Sequence, residues 1–344
     1  MSQPLPSYTK VLHNATYDAI NPRLPALSTA GKVVLITGAS GGIGRATTSS
    51  FAASGPKALV LLGRNLDALS DTAAQVAAAD AAADSSRPIV RTHAVDLCDA
   101  ARLSDIMASV ADEFGGIDIL VHCAGHLPPI APLLSVDPAN FLKGFETTVT
   151  GTLAVAQAVL LANGASPSHE DTRKDAPAPS TDRTPKPVTF INLTSAGALF
   201  PSFRGMGTYV TCKLAAIKLL QAMATENPQM HVVNVHPGFL RTNMSAQLEK
   251  DVTLPFPYDN ISLPSDFLVW VASSEASFLR GKIVYAAWDV NELKELQSDI
   301  IAPEGQPGGG DLFLGFQGFP RYIGGRPVGA LPHLSRDIPA KDNQ

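Results

Sequence analysis

The segment KVVLITGASGGIGRATTSSFAASG, residues 32–55, decides the fold class. Its first part is a run of aliphatic residues that predicts a buried strand, and its last part predicts a helix. Between them Gly38, Gly42 and Gly44 form a G-x-x-x-G-x-G turn. Glycine permits a tight turn, lets the backbone approach a pyrophosphate and leaves the N–H groups of the helix N-terminus facing the anion. The turn therefore predicts a dinucleotide site, with a purely structural turn as the alternative.

Six further apolar runs follow the turn, and helical patterns separate them. The runs are KALVLLGRN, IVRTHAVDL, IDILVHCAG, PVTFINLTS, MHVVNVHPG and GKIVYAA. Apolar runs that alternate with helices are typical of a parallel sheet whose two faces are both covered. We therefore predict an α/β fold, a single Rossmann-type doubly wound domain with about seven parallel strands and helices on both faces.

Segments with a different composition divide the chain around this domain, which is predicted to span residues 31–290. Residues 1–30 contain prolines without periodicity and are predicted to form an arm outside the core. Residues 163–188 are rich in proline, serine and charge, which is typical of a disordered surface insertion. Residues 239–262 are apolar, contain prolines and lie between a strand and a helix, and residues 291–344 are predicted to form a C-terminal extension.

Composition excludes several classes of partner. The chain of 344 residues has a formal net charge of −5, whereas nucleic acids and anionic membranes favour basic proteins. No run reaches the roughly 18 apolar residues of a membrane span, and the N-terminus lacks the apolar core of a signal peptide. The three cysteines show neither metal-ligand nor disulfide spacing. We therefore expect a cytoplasmic protein that holds no metal and binds neither nucleic acid nor membrane.

The end of the second predicted strand indicates which dinucleotide binds. A carboxylate there would bind the adenosine ribose and repel a 2′-phosphate. This chain has Gly63 followed by Arg64, and a guanidinium pairs well with phosphate. The pair predicts NADP(H) rather than NAD(H), with a solvated Arg64 as the alternative. Arg45 either assists or faces solvent, and Asp96 either bonds the adenine edge or caps a helix.

The segment GMGTYVTCKLAA, residues 205–216, places Tyr209 and Lys213 four residues apart, on one helix face. That spacing alone is weak evidence for catalysis. However, the motifs TGxxxGxG, VDL, HCAG, INLTS, Tyr-x-x-x-Lys and HPGFLRT follow one another in an order that resembles the short-chain dehydrogenase/reductase family. The resemblance covers roughly residues 31–290. The arm and the segment GKIVYAAWDVNEL are similar to a fungal branch associated with secondary metabolism.

The resemblance implies the catalytic roles. Tyr209 is expected to protonate the carbonyl oxygen, and Ser195 to hydrogen-bond the same oxygen. Lys213 is expected to hold the nicotinamide ribose and to lower the pKa of the tyrosine, which is ~10 when unperturbed. The remaining cofactor contacts that the resemblance implies are Ser40, Ile43, Leu97, Ala124, Gly125, Pro237, Gly238 and Thr242, in addition to Gly38, Gly42, Gly44, Arg64, Asp96, Tyr209 and Lys213.

Two positions depart from the family pattern. Thr148, also a candidate catalytic residue, stands where the family has an asparagine that holds a water relaying protons to the lysine. A threonine hydroxyl can both donate and accept but is shorter, so this relay is open. His122 begins HCAG where the family has NNAG. A buried histidine with satisfied hydrogen bonds and a polar group near the site are both open for His122.

The sequence therefore predicts an enzyme that transfers hydride between NADP(H) and a small carbonyl or alcohol substrate. The resemblance implies that residues 239–262 form a lid over the substrate. The apolar residues of this predicted lid either contact an apolar substrate or only pack the lid, and they are Phe239, Met244, Leu248, Phe256 and Tyr258. The resemblance also implies a homodimer or homotetramer. The alternatives are a non-redox cyclase or isomerase that binds NADP(H), and a sensor of NADP(H) without catalysis.

Overall fold

A seven-stranded sheet forms the centre of the computed structural model, which describes residues 7–79, 87–166, 184–200, 204–250, 257–302, 311–314, 321–323 and 326–328. All neighbouring strands of this sheet are parallel and follow the order β3-β2-β1-β4-β5-β6-β7. The strands are β1 Val33–Thr37, β2 Ala58–Gly63, β3 Ile89–Ala94, β4 Ile119–His122, β5 Val188–Leu193, β6 Met230–His236 and β7 Ile283–Tyr285. A separate antiparallel pair consists of β8 Arg321–Ile323 and β9 Arg326–Val328. The order reverses beside β1, so the crevice above β1 and β4 is where such sheets bind ligands.

Helices cover both faces of the sheet. They are α1 Gly42–Ala53, α2 Leu66–Ala79, α3 Ala100–Phe114, α4 Pro138–Phe145, α5 Gly151–Ala162, α6 Gly207–Glu226, α7 Asn243–Leu248, α8 Ser262–Val271, α9 Val290–Glu295 and α10 Gln297–Ile300. Alternate residues of β1 point to opposite faces. Val34 and Ile36 pack with α1, α2 and α8, whereas Val33 and Leu35 pack with α3, α5 and α6. The predicted doubly wound α/β fold is confirmed.

The sequence shows one continuous helical pattern from about Asp137 to Ala162, and the structure interrupts it. One π-helical turn, Glu146–Thr150, separates α4 from α5. The combined helix Pro138–Ala162 has 25 residues, and its most apolar 18-residue window has a mean hydropathy of 1.3, so by length and composition alone it could cross a membrane. Polar residues such as Lys143, Glu146 and Gln157 interrupt it, so it is not a continuous apolar run. Half of that window is buried inside the protein, where α5 packs as a core helix.

The N-terminal segment is more than an arm. Ile20 and Leu27 are 0% and 1% exposed and belong to the core on the α1 side. The His13 N–H donates to the carbonyl of Ala287 at 2.8 Å, which fixes the segment beside the end of the sheet. The expectation that residues 1–30 lie outside the core is wrong for this segment, because two isolated apolar side chains can fill core sites without any periodic pattern.

The predicted insertion 163–188 can be followed only at its ends, since residues 167–183 lie outside the described residues. Asn163 is buried and bonds the backbone of Ile117 through both its side-chain oxygen and its nitrogen. Lys186 donates to Asp118 at 3.0 Å. Both ends of the segment are thus fastened beside the start of β4.

The beginning of the predicted C-terminal extension continues the domain. Leu293 in α9 and Ile300 in α10 are fully buried in the core on the α1 side. These two helices close the end of the core beyond β7.

Candidate functional site

Bare backbone shapes the nucleotide end of the crevice. Gly38 follows β1 with φ +68°, and a Cβ there would lie 2.9 Å from the backbone nitrogen of Ala124. At Gly44 a Cβ would lie 2.3 Å from the carbonyl oxygen of Gly38, so α1 can approach the turn this closely only without a side chain. The N-terminus of α1 therefore faces the crevice directly, which suits a pyrophosphate.

The corner that would distinguish NADP(H) from NAD(H) lies at the end of β2. A Cβ at Gly63 would lie 3.0 Å from the Ser40 hydroxyl oxygen, so the chain leaves no room there for a carboxylate side chain without displacing Ser40. Arg64 comes next and is exposed. Arg45 neither faces solvent freely nor joins Arg64, because its guanidinium donates to the Ser40 carbonyl at 2.9 Å and to the Thr72 hydroxyl at 3.1 Å. It braces the glycine turn against α2.

Asp96 does not cap a helix. Its carboxylate accepts the N–H of Cys98 at 2.9 Å, while Asp99 caps α3 by accepting the N–H of Arg102 at 3.0 Å. Of the two roles open for Asp96, the cap is therefore wrong, and its exposed side chain stays available to an adenine ring.

Leu97 packs beside the start of α5. A Cβ at Gly151 would lie 3.2 Å from the Cβ of Leu97, so the two segments are in close contact. Gly125, which follows β4, lies near the catalytic residues, since a Cβ there would lie 3.5 Å from the Lys213 amine.

The structure brings the three predicted catalytic residues to one cleft. Ser195 follows β5, whereas Tyr209 and Lys213 lie in the first two turns of α6. The Lys213 amine donates to the carbonyl of Leu193 at 2.8 Å and lies 6.0 Å from the centre of the Tyr209 ring. The Ser195 hydroxyl accepts the N–H of Gly197 at 3.3 Å and lies close enough to Tyr209 to lower the pKa of its phenol. This arrangement presents a hydroxyl and a phenol side by side.

Burial sets the protonation of these groups. It raises the pKa of Tyr209 to about 12, against the smaller lowering effect of the hydrogen bond to Ser195. It also lowers the pKa of Lys213 to about 8. The resemblance implies that Lys213 lowers the tyrosine pKa, but in the protein alone the pKa shift of Tyr209 has only burial and the Ser195 hydrogen bond as its causes. Tyr209 is accordingly a neutral phenol, able to donate a proton.

A chain of buried hydrogen bonds connects the cofactor crevice to the π-helical turn. The Thr152 hydroxyl donates to the carbonyl of Thr148 at 2.5 Å, so it accepts from His122 Nε2–H at 3.1 Å. His122 Nδ1 then carries no proton and accepts from the Thr37 hydroxyl at 3.0 Å. Thr37 in turn accepts the Ala124 N–H at 3.2 Å. The donor and the acceptor of each hydrogen bond in this chain are therefore defined.

His122 is thus a buried histidine with both ring nitrogens bonded, which settles the alternatives in favour of packing. Burial, and secondarily the charge of Lys213, lowers its pKa to about 3. Thr148 lies in the middle of the π-helical turn, buried. Its carbonyl is held by Thr152, which fixes the turn at the position of the family's asparagine.

An apolar cleft opens in front of the predicted catalytic residues, with a volume of about 1190 Å³ including the part open to solvent. Four of the predicted lid residues line it: Phe239, Met244, Leu248 and Tyr258. The fifth, Phe256, lies outside the described residues. Pro237, Gly238 and Thr242 line the same cleft, and Thr242 caps α7 in a reciprocal pair with Ser245. A largely apolar wall suits a largely apolar ligand.

Sequence reasoning missed two residues of the site. Asp259, at the far end of the lid, accepts the N–H of Phe239 at 2.9 Å, and burial raises its pKa. The two lie twenty residues apart, so no local pattern could have paired them. His236 ends β6 and lines the cleft. Its signal was present in HPGFLRT, where Pro237, Gly238, Phe239 and Thr242 received roles and His236 did not.

Comparison with known proteins agrees with this geometry. The short chain dehydrogenase family model matches residues 32–165. Short chain dehydrogenase mpl6 of Monascus purpureus is 31% identical over 295 residues, which cover 84% of this chain and 91% of the relative. Short chain dehydrogenase/reductase nsrO of Aspergillus novofumigatus is 30% identical over 309 residues, which cover 87% of this chain and 94% of the relative. Both relatives are fungal.

Solved structures share the fold. The oxidoreductase yciK of E. coli superposes with a TM-score of 0.63 and 20% identity, over 76% of this chain and 98% of that chain. A short chain dehydrogenase of Shigella flexneri complexed with NADP superposes with a TM-score of 0.62 and 20% identity, over 76% of this chain and 99% of that chain.

Proposed function

Because the chain belongs to the short-chain dehydrogenase family, we propose that it is an NADPH-dependent oxidoreductase acting on a carbonyl or hydroxyl group of a small, fairly apolar molecule. The observation that carries the proposal is the convergence of Ser195, Tyr209 and Lys213 in one apolar cleft beside a bare glycine turn. A phenol placed this way serves no purpose in a protein that only senses the cofactor.

The residues divide the work of carbonyl reduction. When bound, NADPH supplies the hydride. Ser195 and Tyr209 are two hydrogen-bond donors for one substrate oxygen, and such a pair stabilises the negative charge that develops there. Tyr209 then gives its phenolic proton to that oxygen. A pKa of about 12 keeps this proton in place at neutral pH, so Tyr209 can act as the proton donor in carbonyl reduction.

The finer parts of the proposal have separate support. Arg64 beside Gly63 supports NADP(H) over NAD(H), and the lining of the cleft supports an apolar substrate. The resemblance of the N-terminal segment and of GKIVYAAWDVNEL to a fungal branch associated with secondary metabolism supports a secondary metabolite as that substrate. Following the family, we also propose a cytoplasmic homodimer or homotetramer.

The test is oxidation of NADPH and NADH by the purified protein with a panel of ketones, aldehydes and quinones. We expect turnover with NADPH, and a loss of about a thousandfold in kcat for Tyr209→Phe, because positioned acid–base groups contribute 10²–10⁴-fold. Conversion of a substrate without net oxidation of NADPH would support a cyclase or isomerase instead. Tight binding of NADPH without any conversion would support a sensor.

A further inference from the structure

His236 occupies a defined protonation state at the wall of the cleft. The N–H of Ala196, the residue after Ser195, points at His236 Nδ1 at 3.2 Å. A backbone N–H can only donate, so Nδ1 is the bare nitrogen and Nε2 carries the proton. Burial lowers the pKa of the ring to about 4. The imidazole is therefore neutral at physiological pH and offers one N–H donor at Nε2.

Neighbouring rings hold this imidazole in place. The ring of Tyr285 meets it edge-on at 4.9 Å between centres, and the ring of Phe239 does so at 5.8 Å. Tyr285 is itself stacked on Trp288 at 4.7 Å. A ring packed on two sides and bonded at Nδ1 cannot rotate freely, so the direction of the Nε2–H bond is fixed.

The other polar side chains of the cleft already have partners. The Thr242 hydroxyl accepts the N–H of Ser245, the Ser245 hydroxyl donates to the carbonyl of Thr242, and Tyr258 donates to Glu249. The three catalytic residues are committed to the reacting oxygen and the cofactor. Within the described part of the chain, no hydrogen bond is formed by the Nε2–H of His236.

Thr194 is the remaining polar residue of the wall, but its hydroxyl oxygen is enclosed and out of reach of a ligand. His236 is 8% exposed and lines the cleft. A neutral donor in an apolar wall is satisfied when a ligand brings an acceptor, and a ligand without one leaves it unpaired at a cost.

We propose that the Nε2–H of His236 binds a second oxygen atom of the substrate, distinct from the carbonyl oxygen that is reduced. The substrate is then a largely apolar ketone with a further ether, hydroxyl or carbonyl oxygen. This inference rests on the proposed function, since the carbonyl group is placed by Ser195 and Tyr209. It makes His236 a residue of substrate specificity rather than of the chemical step.

The test compares acetonaphthone, which has one oxygen, with ring-methoxylated derivatives that are positional isomers of one another. Dissociation constants are measured by calorimetry on the NADP⁺-loaded full chain, in a Tyr209→Phe background that prevents turnover. We expect at least one isomer to bind about tenfold more tightly than acetonaphthone, the size of effect of one buried hydrogen bond. His236→Phe removes the donor and should abolish that preference, whereas His236→Gln retains a side-chain N–H and should preserve most of it.

A matched control lies at the other end of the same strand. His231→Gln changes a partly buried histidine of β6 outside the cleft and should leave the preference intact. A preference that survives in His236→Phe, or the failure of every methoxylated isomer to bind better than acetonaphthone, would overturn the proposal.

Turnover of the same ketones by the chain with Tyr209 intact is measured in parallel. If the binding preference holds while NADPH is not oxidised, the proposed reductase function fails and the role of His236 stands. If NADPH is oxidised equally well with all the ketones, the role of His236 fails and the reductase function stands.

Discussion

At the nucleotide end the crevice is shaped by backbone, whereas at the substrate end it is shaped by side chains from distant segments. The turn after β1 is closed because a Cβ at Gly38 or Gly44 would collide with neighbouring backbone atoms. The substrate cleft instead depends on Asp259 holding Phe239 and on Ala196 holding His236. A backbone-defined site tolerates few residue types at each position, while a side-chain-defined site can change its ligand through single substitutions.

Of the substitutions that compare the two ends of the crevice, that of Gly44 should have the largest effect. In Gly44→Ala the new Cβ would lie 2.3 Å from the Gly38 carbonyl oxygen, so α1 or the turn has to move. We expect the free energy of unfolding to fall by about 2–3 kcal/mol, as in overpacked cores, and NADPH affinity to fall with it. Urea unfolding and calorimetric titration with NADPH measure both.

Gly41 provides the matched control. It has an extended φ of −177°, and a Cβ there would meet no atom within 4 Å. Gly41→Ala should therefore retain the stability of the native chain. Equal destabilisation by both substitutions would contradict the idea that backbone contact defines this end.

Acid should destabilise the nucleotide end through His122. The folded chain binds the proton of this histidine more weakly than the unfolded chain, since burial lowers its pKa from 6.5 to about 3. Stability is therefore fully present above pH 6.5 and falls as the pH drops towards 3. Between pH 6.5 and pH 5 we expect His122 to lower the free energy of unfolding by about 2 kcal/mol.

The check is urea unfolding at both pH values for the native chain and for His122→Gln, which cannot take up that proton. We expect the variant to lose about 2 kcal/mol less than the native chain on acidification. An identical loss in the two proteins would show that His122 stays unprotonated in the unfolded state or is protonated when folded.

Substitution of Arg64 tests whether the nucleotide end also has a side-chain component. If the exposed guanidinium binds the 2′-phosphate, Arg64→Ala should weaken NADPH binding about tenfold and leave NADH binding unchanged, because one charge-assisted contact is lost. Arg102→Ala, which removes another exposed arginine from α3, serves as the control. Equal weakening of NADPH and NADH would refute a role in phosphate recognition.

Substitution of Asp259 should give the smallest effect and confine it to the substrate end. Asp259→Ala removes the acceptor that ties the far end of the lid to the N–H of Phe239. We expect KM for the carbonyl substrate to rise about fivefold and KM for NADPH to stay unchanged, because one hydrogen bond of ordinary strength is lost. Asp259→Asn keeps an acceptor oxygen and should stay close to the native value. A rise in KM for NADPH would place Asp259 in the nucleotide site instead.

The fold was predictable because strand burial, helix periodicity and the glycine turn are all local properties. Each apolar run and each turn glycine can be recognised without knowledge of the rest of the chain. The convergence of Ser195 with Tyr209 and Lys213 was predictable for a different reason, since their motif order matched a known family.

Other features depend on contacts that no local pattern records. Arg45 braces the turn only because α2 presents the Thr72 hydroxyl to it. The core role of Ile20 depends on a space left between elements that lie far along the chain. The protonation of His236 follows from the N–H of Ala196, forty residues away. These features required the three-dimensional arrangement.

In the proposed reaction, Tyr209 gives a proton to a carbonyl oxygen while hydride moves from NADPH to the carbonyl carbon. The most direct test uses NADPH deuterated at the transferable position of the nicotinamide, together with the best carbonyl substrate of the panel. We predict an alcohol product that carries one deuterium by mass spectrometry, formed with loss of one NADPH and abolished in Tyr209→Phe. A product without deuterium, formed while NADPH remains unchanged, would contradict hydride transfer from NADPH to the substrate.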